Sequence, residues 1–176
     1  MKNHKKNKVV WFTGLSGVGK TTLAKLLIKK LKKKETKILE IDGDIFRKKI
    51  NLKNSFTKKN IFFNNQKIIS YVRKNYKKYD YTIISVISPL RKTRLKASKM
   101  FKENYFEIHL HCPLRVLVRR DTKGLYQKAK QKKINNLIGY NSKIKYEKSL
   151  HKTIKLNTNL LTKKKALDKI LKKINY

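Results

Sequence analysis

The chain has 176 residues, of which 48 are Lys or Arg and 10 are Asp or Glu, so its formal net charge is +38. This length suits one compact domain, and an apolar fraction of 39% is sufficient for one hydrophobic core. The sequence contains no run close to the roughly 18 apolar residues that a membrane span needs, and its single cysteine, Cys112, excludes an internal disulfide framework and a multi-cysteine zinc site.

The predicted elements alternate between strands and helices along the chain. A basic N-terminal tail over residues 1–8 leads directly into apolar residues without the hydrophobic region of a secretory signal, which predicts a cytoplasmic protein. In chain order, the predicted elements are a strand over 8–13, a helix over 21–34, a strand over 37–41, a helix over 57–74, a strand over 81–88, a helix over 90–101, a strand over 105–111, a helix over 114–120, a strand over 153–157 and an amphipathic helix that ends near 174.

This alternation predicts a three-layer α/β fold, in which a five-stranded parallel sheet carries helices on both faces. The third strand is apolar on both faces, which indicates an internal position in the sheet. Thr57 is the predicted N-cap of the second helix. Residues 9–176 show no break in composition and predict a single domain, in which the polar stretch at about 121–150 is too long for an ordinary connection and predicts a mobile lid.

The segment between the first strand and the first helix matches the phosphate-binding loop pattern G-x-x-x-x-G-K-[ST]. Its residues are Gly14, Leu15, Ser16, Gly17, Val18, Gly19, Lys20 and Thr21. In such a loop the backbone N–H groups surround phosphate oxygens, Lys20 adds positive charge toward the β- and γ-phosphates, and Thr21 supplies a hydroxyl for Mg²⁺. The motif therefore predicts a P-loop NTPase fold and a nucleoside triphosphate, with Mg²⁺, as its ligand.

Two carboxylates follow the second strand, at the edge of the sheet where ligands bind in open α/β folds. One of Asp42 and Asp44 can orient Mg²⁺ or its water, and the other can accept a proton from an attacking hydroxyl. The alternative is a simple turn at Asp-Gly. Arg47 follows three residues later and could reach an anionic substrate.

Two further candidates lie at the ends of later elements. Ser88, between Ile87 and Pro89, ends the third strand and is either a site residue or a helix cap. Arg120 and Lys123 begin the predicted lid, where cations could close over the transferred phosphate and offset its developing charge, although charges at a helix end are often only solvated.

The +38 charge is a less specific signal than these motifs. Of the 48 basic residues 41 are Lys and seven are Arg, and Lys has AT-rich codons, so a drift in base composition would produce this profile in many unrelated proteins. Specific recognition of bases favours the bidentate fork of Arg. The charge is interpreted as a background that favours anionic substrates, with no specific nucleic-acid partner and no membrane expected.

The segments GLSGVGKTT, DGDIFR, SFT, VISPLR and RRDTKGLYQKA resemble those of adenylylsulfate (APS) kinases, in the same order and at similar spacing, over about residues 9–158. The last segment is the most discriminating, because many NTPases share the phosphate loop. The resemblance implies ATP-dependent phosphorylation of the 3′-hydroxyl of adenylyl sulfate in sulfate assimilation. It also implies a possible homodimer.

The resemblance carries roles onto individual residues. It implies that residues 14–21 and Thr158 bind ATP, Thr158 near the base, and that Thr21 and Asp42 hold Mg²⁺. The implied catalytic residues are Lys20, Asp42, Asp44, Ser88 and Arg120. The implied acceptor residues are Asp44, Arg47, Phe56, Asn64, Ile87, Ser88, Pro89 and Lys123. Ser88 matches the serine assigned in the family as a phosphoserine intermediate, whereas in-line transfer to a bound hydroxyl needs no enzyme nucleophile.

The sequence departs from the family pattern in the part of the site that is implied to bind the acceptor, here called the acceptor half; the part implied to bind ATP is called the nucleotide half. Ile61 stands where family members usually have an Arg that would face the anionic groups of the substrate, and Leu137-Ile138 replaces Phe-Thr in the predicted lid. These changes leave a second hypothesis open, a related P-loop kinase with another nucleotide-like or sugar acceptor. A non-catalytic nucleic-acid-binding protein is the hypothesis from a different class.

Overall fold

The computed structural model describes residues 7–32, 36–50, 57–150 and 152–175. The predicted tail therefore lies outside these residues as far as position 6, and so do positions 33–34 of the first predicted helix and Phe56. The strands among the described residues are β1 (Lys8–Thr13), β2 (Ile38–Asp42), β3 (Tyr81–Ser85), β4 (Tyr105–His111) and β5 (Ile154–Asn157). The helices among them are α1 (Lys20–Leu31), α2 (Gly43–Lys49), α3 (Lys58–Asn75), α4 (Arg91–Phe101), α5 (Leu114–Arg120), α6 (Leu125–Lys130) and α7 (Lys163–Lys173).

The strands form one parallel sheet in the order β2-β3-β1-β4-β5. β1 is central, and its residues 9–12 are fully buried, because helices cover both faces. Val10 and Phe12 face a core formed with α1 and α7, and Val9 and Trp11 face a second core formed with α3 and α4. The predicted three-layer architecture and the internal position of the third strand are confirmed.

The third strand is shorter than predicted. β3 ends at Ser85, although the chain stays beside β1 for two more residues, because Val86 N donates to the Phe12 carbonyl and Gly14 N donates to the Ile87 carbonyl. Ser88 then adopts a positive φ of 43°. A left-handed residue followed by Pro89, which has no N–H, cannot continue a parallel ladder.

Two helices were not predicted from the periodicity. The Asp42-Gly43-Asp44 segment is not a simple turn, because the Asp42 carboxylate accepts hydrogen bonds from the N–H groups of Asp44 and Ile45 and caps α2. Within residues 121–150, α6 forms one short helix and the remainder is irregular. The predicted cap of α3 is confirmed, since the Thr57 hydroxyl accepts from Asn60 N.

Residues 121–150 lie against the phosphate loop. The Tyr126 hydroxyl donates to the Ser16 carbonyl at 3.0 Å, and Leu137 and Ile138 are buried. At Gly139 a Cβ atom would lie 2.6 Å from the end of the Leu15 side chain, and the φ of +81° is a left-handed conformation that favours glycine. None of the helices that the structure describes combines the length and apolar character needed to cross a membrane.

Candidate active site

The phosphate loop turns back sharply between β1 and α1. Gly14 has a φ of +138°, and a Cβ atom there would lie against the carbonyl oxygen of Leu110 in β4, so only glycine fits. Gly19 is the N-cap of α1 and is also left-handed. The first-turn N–H groups of α1 and the loop therefore form the positive end of a helix dipole at the edge of the sheet, which is suited to bind phosphate.

Lys20 is folded back over this loop. Its ammonium donates to the carbonyls of Gly14 and Leu15 at 2.9 and 2.7 Å. Burial, followed by the positive charge of Lys123, lowers the pKa of Lys20 to about 7, and the carboxylates of Asp44 and Asp42 oppose this shift only in part. An anionic phosphate beside this amine would favour its charged form, so anion binding at the loop is coupled to the protonation of Lys20.

The Asp42 carboxylate lies between three elements. One oxygen accepts from the N–H groups that begin α2, and the other accepts from the Thr21 hydroxyl at 3.0 Å and the Ser85 hydroxyl at 3.3 Å. A carboxylate with two hydroxyls is the oxygen-rich environment that Mg²⁺ prefers. Sequence reasoning missed Ser85, although a polar residue at the carboxyl end of an otherwise apolar strand was a signal that could have identified it.

Asp44 lies in the first turn of α2 and is more accessible than Asp42, with 53% of its side chain exposed. One of its oxygens accepts from Lys123 Nζ at 2.8 Å, and the other accepts from Arg47. Burial alone raises the pKa of Asp44, but the hydrogen bond from Lys123 and the charges of Arg47 and Lys123 outweigh it and lower the pKa overall. This carboxylate is therefore held ionised between a cation from α2 and one from the predicted lid.

These groups surround one cavity of about 1150 Å³. The predicted site residues that line it are Ser16, Gly17, Val18, Gly19, Lys20, Thr21, Asp42, Asp44, Arg47, Ile87, Arg120, Lys123 and Thr158. At the β5 side of the cavity Thr158 N donates to the His111 carbonyl at 2.9 Å, and Arg120 donates to the Thr158 carbonyl at 3.5 Å. The structure thus brings together residues that are far apart in sequence.

The remaining predicted site residues that the structure describes do not line this cavity, and Phe56 lies outside the described residues. Gly14 is buried against β4, Leu15 packs toward Ile138, Asn64 lies partly buried on α3, and Pro89 is buried. Ser88 is only 2% exposed, and its hydroxyl has no hydrogen-bond partner among the described residues.

The residues that depart from the family pattern meet in the structure. Ile61 of α3 and Ile138 of the 121–150 segment form a buried apolar cluster with Leu90. Ile87 packs against the same cluster, which therefore adjoins the cavity beside the end of β3.

The sequence profile of the family described as "Adenylylsulphate kinase" matches residues 6–157. The chain belongs to the adenylylsulphate kinase family. A probable adenylyl-sulfate kinase of Archaeoglobus fulgidus is 39% identical over 131 residues, which are 74% of this chain and 84% of that protein. The adenylyl-sulfate kinase of Halothermothrix orenii is 36% identical over 96% of this chain and 89% of its own length.

Solved structures of this kinase family have the same fold. The Mycobacterium tuberculosis APS kinase CysC, in complex with AMPPNP and APS, superposes with a TM-score of 0.84 at 27% identity, over 96% of this chain and 98% of that one. Shikimate kinase from Aquifex aeolicus superposes with a TM-score of 0.54 at 13% identity over 95% of this chain and 96% of that one, a likeness of fold alone. The predicted P-loop kinase fold is confirmed.

Proposed function

We propose that this protein is an ATP-dependent adenylyl-sulfate kinase that transfers the γ-phosphoryl group of ATP to the 3′-hydroxyl of adenylyl sulfate. The observation that carries the proposal is a single cavity that joins a complete phosphate loop to the Asp42 and Asp44 carboxylates and to Lys123, in a chain of this family. The named substrates of relatives, and the AMPPNP and APS bound to the mycobacterial enzyme, support the choice of both reactants.

The nucleotide half binds ATP through the backbone N–H groups of the loop and the Lys20 ammonium. Thr21 and Asp42 would hold Mg²⁺, which when bound neutralises charge on the β- and γ-phosphates. The Thr21 hydroxyl faces Asp42 directly, and Ser85 holds the same carboxylate oxygen from β3. Arg120 and Thr158 line the β5 side of the cavity, where we place the adenine of ATP near Thr158.

Asp44 is the better candidate for the base that accepts the 3′-hydroxyl proton. The Asp42 oxygens accept hydrogen bonds from backbone N–H groups and from two hydroxyls on the Mg²⁺ side, whereas the Asp44 carboxylate is half exposed in the cavity and both of its oxygens bind cationic side chains. A move of Lys123 from Asp44 toward the transferred phosphoryl group would remove one of the charges that lower the Asp44 pKa and would place a cation where negative charge develops.

The burial of Ser88 favours in-line transfer over a phosphoserine intermediate. Its hydroxyl is closed off from the cavity, whereas in-line transfer needs only that the acceptor hydroxyl be aligned with the γ-phosphoryl group. We therefore infer that residues 87–89 contribute their backbone conformation to the acceptor site.

The test is ADP formation from ATP and adenylyl sulfate, with 3′-phosphoadenylyl sulfate identified by chromatography, for the wild type and for Lys20→Ala. Consumption of ATP no greater than that of Lys20→Ala would refute the proposal. The apolar cluster around Ile61 favours one second candidate, a kinase for another nucleotide-like or sugar acceptor. A thermal-shift screen of candidate acceptors with MgADP present separates the two, because the true acceptor should raise the melting temperature most.

The homodimer implied by the resemblance stays a prediction. Light scattering after size-exclusion chromatography tests it directly, since a dimer has twice the 20.9 kDa mass of the chain.

A further inference from the structure

A buried ion pair lies beside the end of β3, outside the machinery proposed above. Arg94 of α4 has 0% of its side chain exposed, and Glu107 of β4 has 2%. Arg94 Nε lies 3.3 Å from Glu107 Oε1. Because an unpaired charge at such depth is strongly destabilising, removing either side chain alone should lower the stability of the protein.

The two terminal nitrogens of Arg94 donate hydrogen bonds to carbonyls from two separate segments. Nη1 donates to the Ser88 carbonyl at 2.6 Å. Nη2 donates to the carbonyls of Glu147 and Lys148, each at 2.8 Å. The guanidinium is planar and its donors have a fixed geometry, so these bonds fix the position of the Ser88 backbone relative to the C-terminal end of the 121–150 segment.

Tyr146 joins the same two segments by a second route. Its ring centroid lies 4.8 Å from the Arg94 guanidinium carbon, and its ring stacks on His109 at 4.6 Å. Its hydroxyl is 2.7 Å from the Thr13 hydroxyl, which in turn donates to the Ile87 carbonyl. Arg94 therefore binds the backbone at Ser88 directly, and Tyr146 contacts the backbone at Ile87 through Thr13.

This support matters because Ser88 is in a conformation that side chains seldom adopt. Its φ of 43° is left-handed, and such a residue persists only where surrounding contacts determine it. Ile87 lines the cavity directly in front of this residue. A displaced Ser88 carbonyl would move the Ile87 wall of the site, and an error of about 1 Å in substrate position can lower a rate about 100-fold.

We propose that Arg94, paired with Glu107, is a positioning residue that fixes the 87–89 backbone and the end of the 121–150 segment for the acceptor. The proposal rests on the proposed function for the identity of that acceptor, adenylyl sulfate. Arg94 itself touches neither reactant; it acts through the carbonyls that it binds.

Three variants test this role. Arg94→Met with Glu107→Leu removes both charges together, since replacing a buried ion pair by apolar residues is often tolerated in stability. Arg94→Lys keeps the positive charge but lacks the planar guanidinium that binds several carbonyls at once. Arg91→Met is the matched control, because Arg91 is exposed on the same helix. Circular dichroism and thermal melting establish which variants fold, and Arg94→Lys decides the question if the double variant does not fold.

We expect the KM for adenylyl sulfate to rise about tenfold or more in the folded Arg94 variants, with the KM for ATP unchanged within about twofold. Arg91→Met should leave both constants unchanged. If Arg94 had only a structural role, the variants would raise the KM for both substrates or for neither. A folded variant with an unchanged KM for adenylyl sulfate would overturn the proposal.

Hydrogen exchange gives a readout that does not depend on the acceptor. Amides at 86–90 and 144–150 should exchange faster in the Arg94 variants, whereas those at 14–24 should not. If the wild type fails to use adenylyl sulfate but these exchange changes occur, the proposed function fails and the positioning role stands. Unchanged exchange in both segments refutes the positioning role whatever the acceptor.

Discussion

The two halves of the cavity are built in different ways. The phosphate loop, at the centre of the nucleotide half, is formed by consecutive residues: β1 leads into the loop, the loop into α1, and Lys20 bonds to carbonyls five and six positions before it. The acceptor half joins α2, α3, the end of β3 and the 121–150 segment. Local geometry therefore determines the phosphate loop, whereas the acceptor half depends on contacts between side chains that are distant in sequence, as at Ile61 and Ile138.

The largest effect should come from the nucleotide half. We expect Lys20→Ala to lower kcat/KM by about 1000-fold, because it removes the cation directed at the transferred phosphate. The coupled assay measures it, with Lys25→Ala on the exposed face of α1 as the control. Turnover within tenfold of the wild type would show that the loop does not carry the chemistry.

Asp44→Asn tests the boundary between the halves. We expect kcat to fall about 100-fold with little change in the KM for ATP, because the amide cannot accept the hydroxyl proton. Steady-state kinetics in both substrates measures the split, with Asp168→Asn on α7 as an exposed control. A rise in the KM for ATP alone would instead assign Asp44 to the nucleotide half.

Ile138→Thr should weaken the acceptor half alone. The change places a hydroxyl in the buried cluster of Ile61 and Leu90, which should cost about 1–3 kcal/mol of unfolding free energy. Urea unfolding measures this cost, and thermal shift with MgADP should remain as in the wild type. If the variant also lost its thermal shift with MgADP, the two halves would not be independent.

Ser85→Ala should have a smaller effect, confined to the Mg²⁺ side of the nucleotide half. Loss of one hydrogen bond to Asp42, worth about 1 kcal/mol, should raise the Mg²⁺ concentration at half-maximal activity severalfold. The thermal shift by MgADP should shrink while that by ADP alone is unchanged. Thr82→Val in the same strand is the control, since the buried Thr82 hydroxyl makes no hydrogen bond within the described residues.

The smallest expected effect is the uptake of a proton by Lys20 when nucleotide binds. With the pKa of Lys20 at about 7 in the free protein, against 10.5 for an ordinary lysine, the amine is mostly neutral at pH 8. Phosphate binding raises its pKa, so nucleotide binding at pH 8 should take up about one proton. Calorimetry in buffers of different ionisation enthalpy measures this uptake, and Lys20→Met should abolish it.

The same shift has a consequence for stability. Because the folded pKa lies below the unfolded value, the unfolded chain binds more protons between pH 7 and 10.5. The contribution of Lys20 to the stability of the nucleotide-free protein should therefore increase with pH across this window, and Lys20→Met should remove that increase.

Periodicity in the sequence predicted the strands and the long helices because their apolar residues face two cores, as at Val10 and Trp11. It missed α2, whose seven residues are too few to show a period and whose start depends on the Asp42 cap. It extended β3 to Ser88, because the apolar run continues after the hydrogen-bonded ladder ends.

The sequence by itself determined the P-loop fold, the family and the nucleotide loop, because apolar periodicity, short motifs in a fixed order and a contiguous loop pattern are each recognisable without knowledge of the packing. Only the tertiary structure decided that Ser85 joins Thr21 at Asp42, that Lys123 reaches Asp44, and that Arg94 holds Ser88. These contacts link residues from 6 to 79 positions apart, and their pairing depends on how helices and loops pack over the sheet. The identity of each residue alone does not indicate which distant residue it will contact.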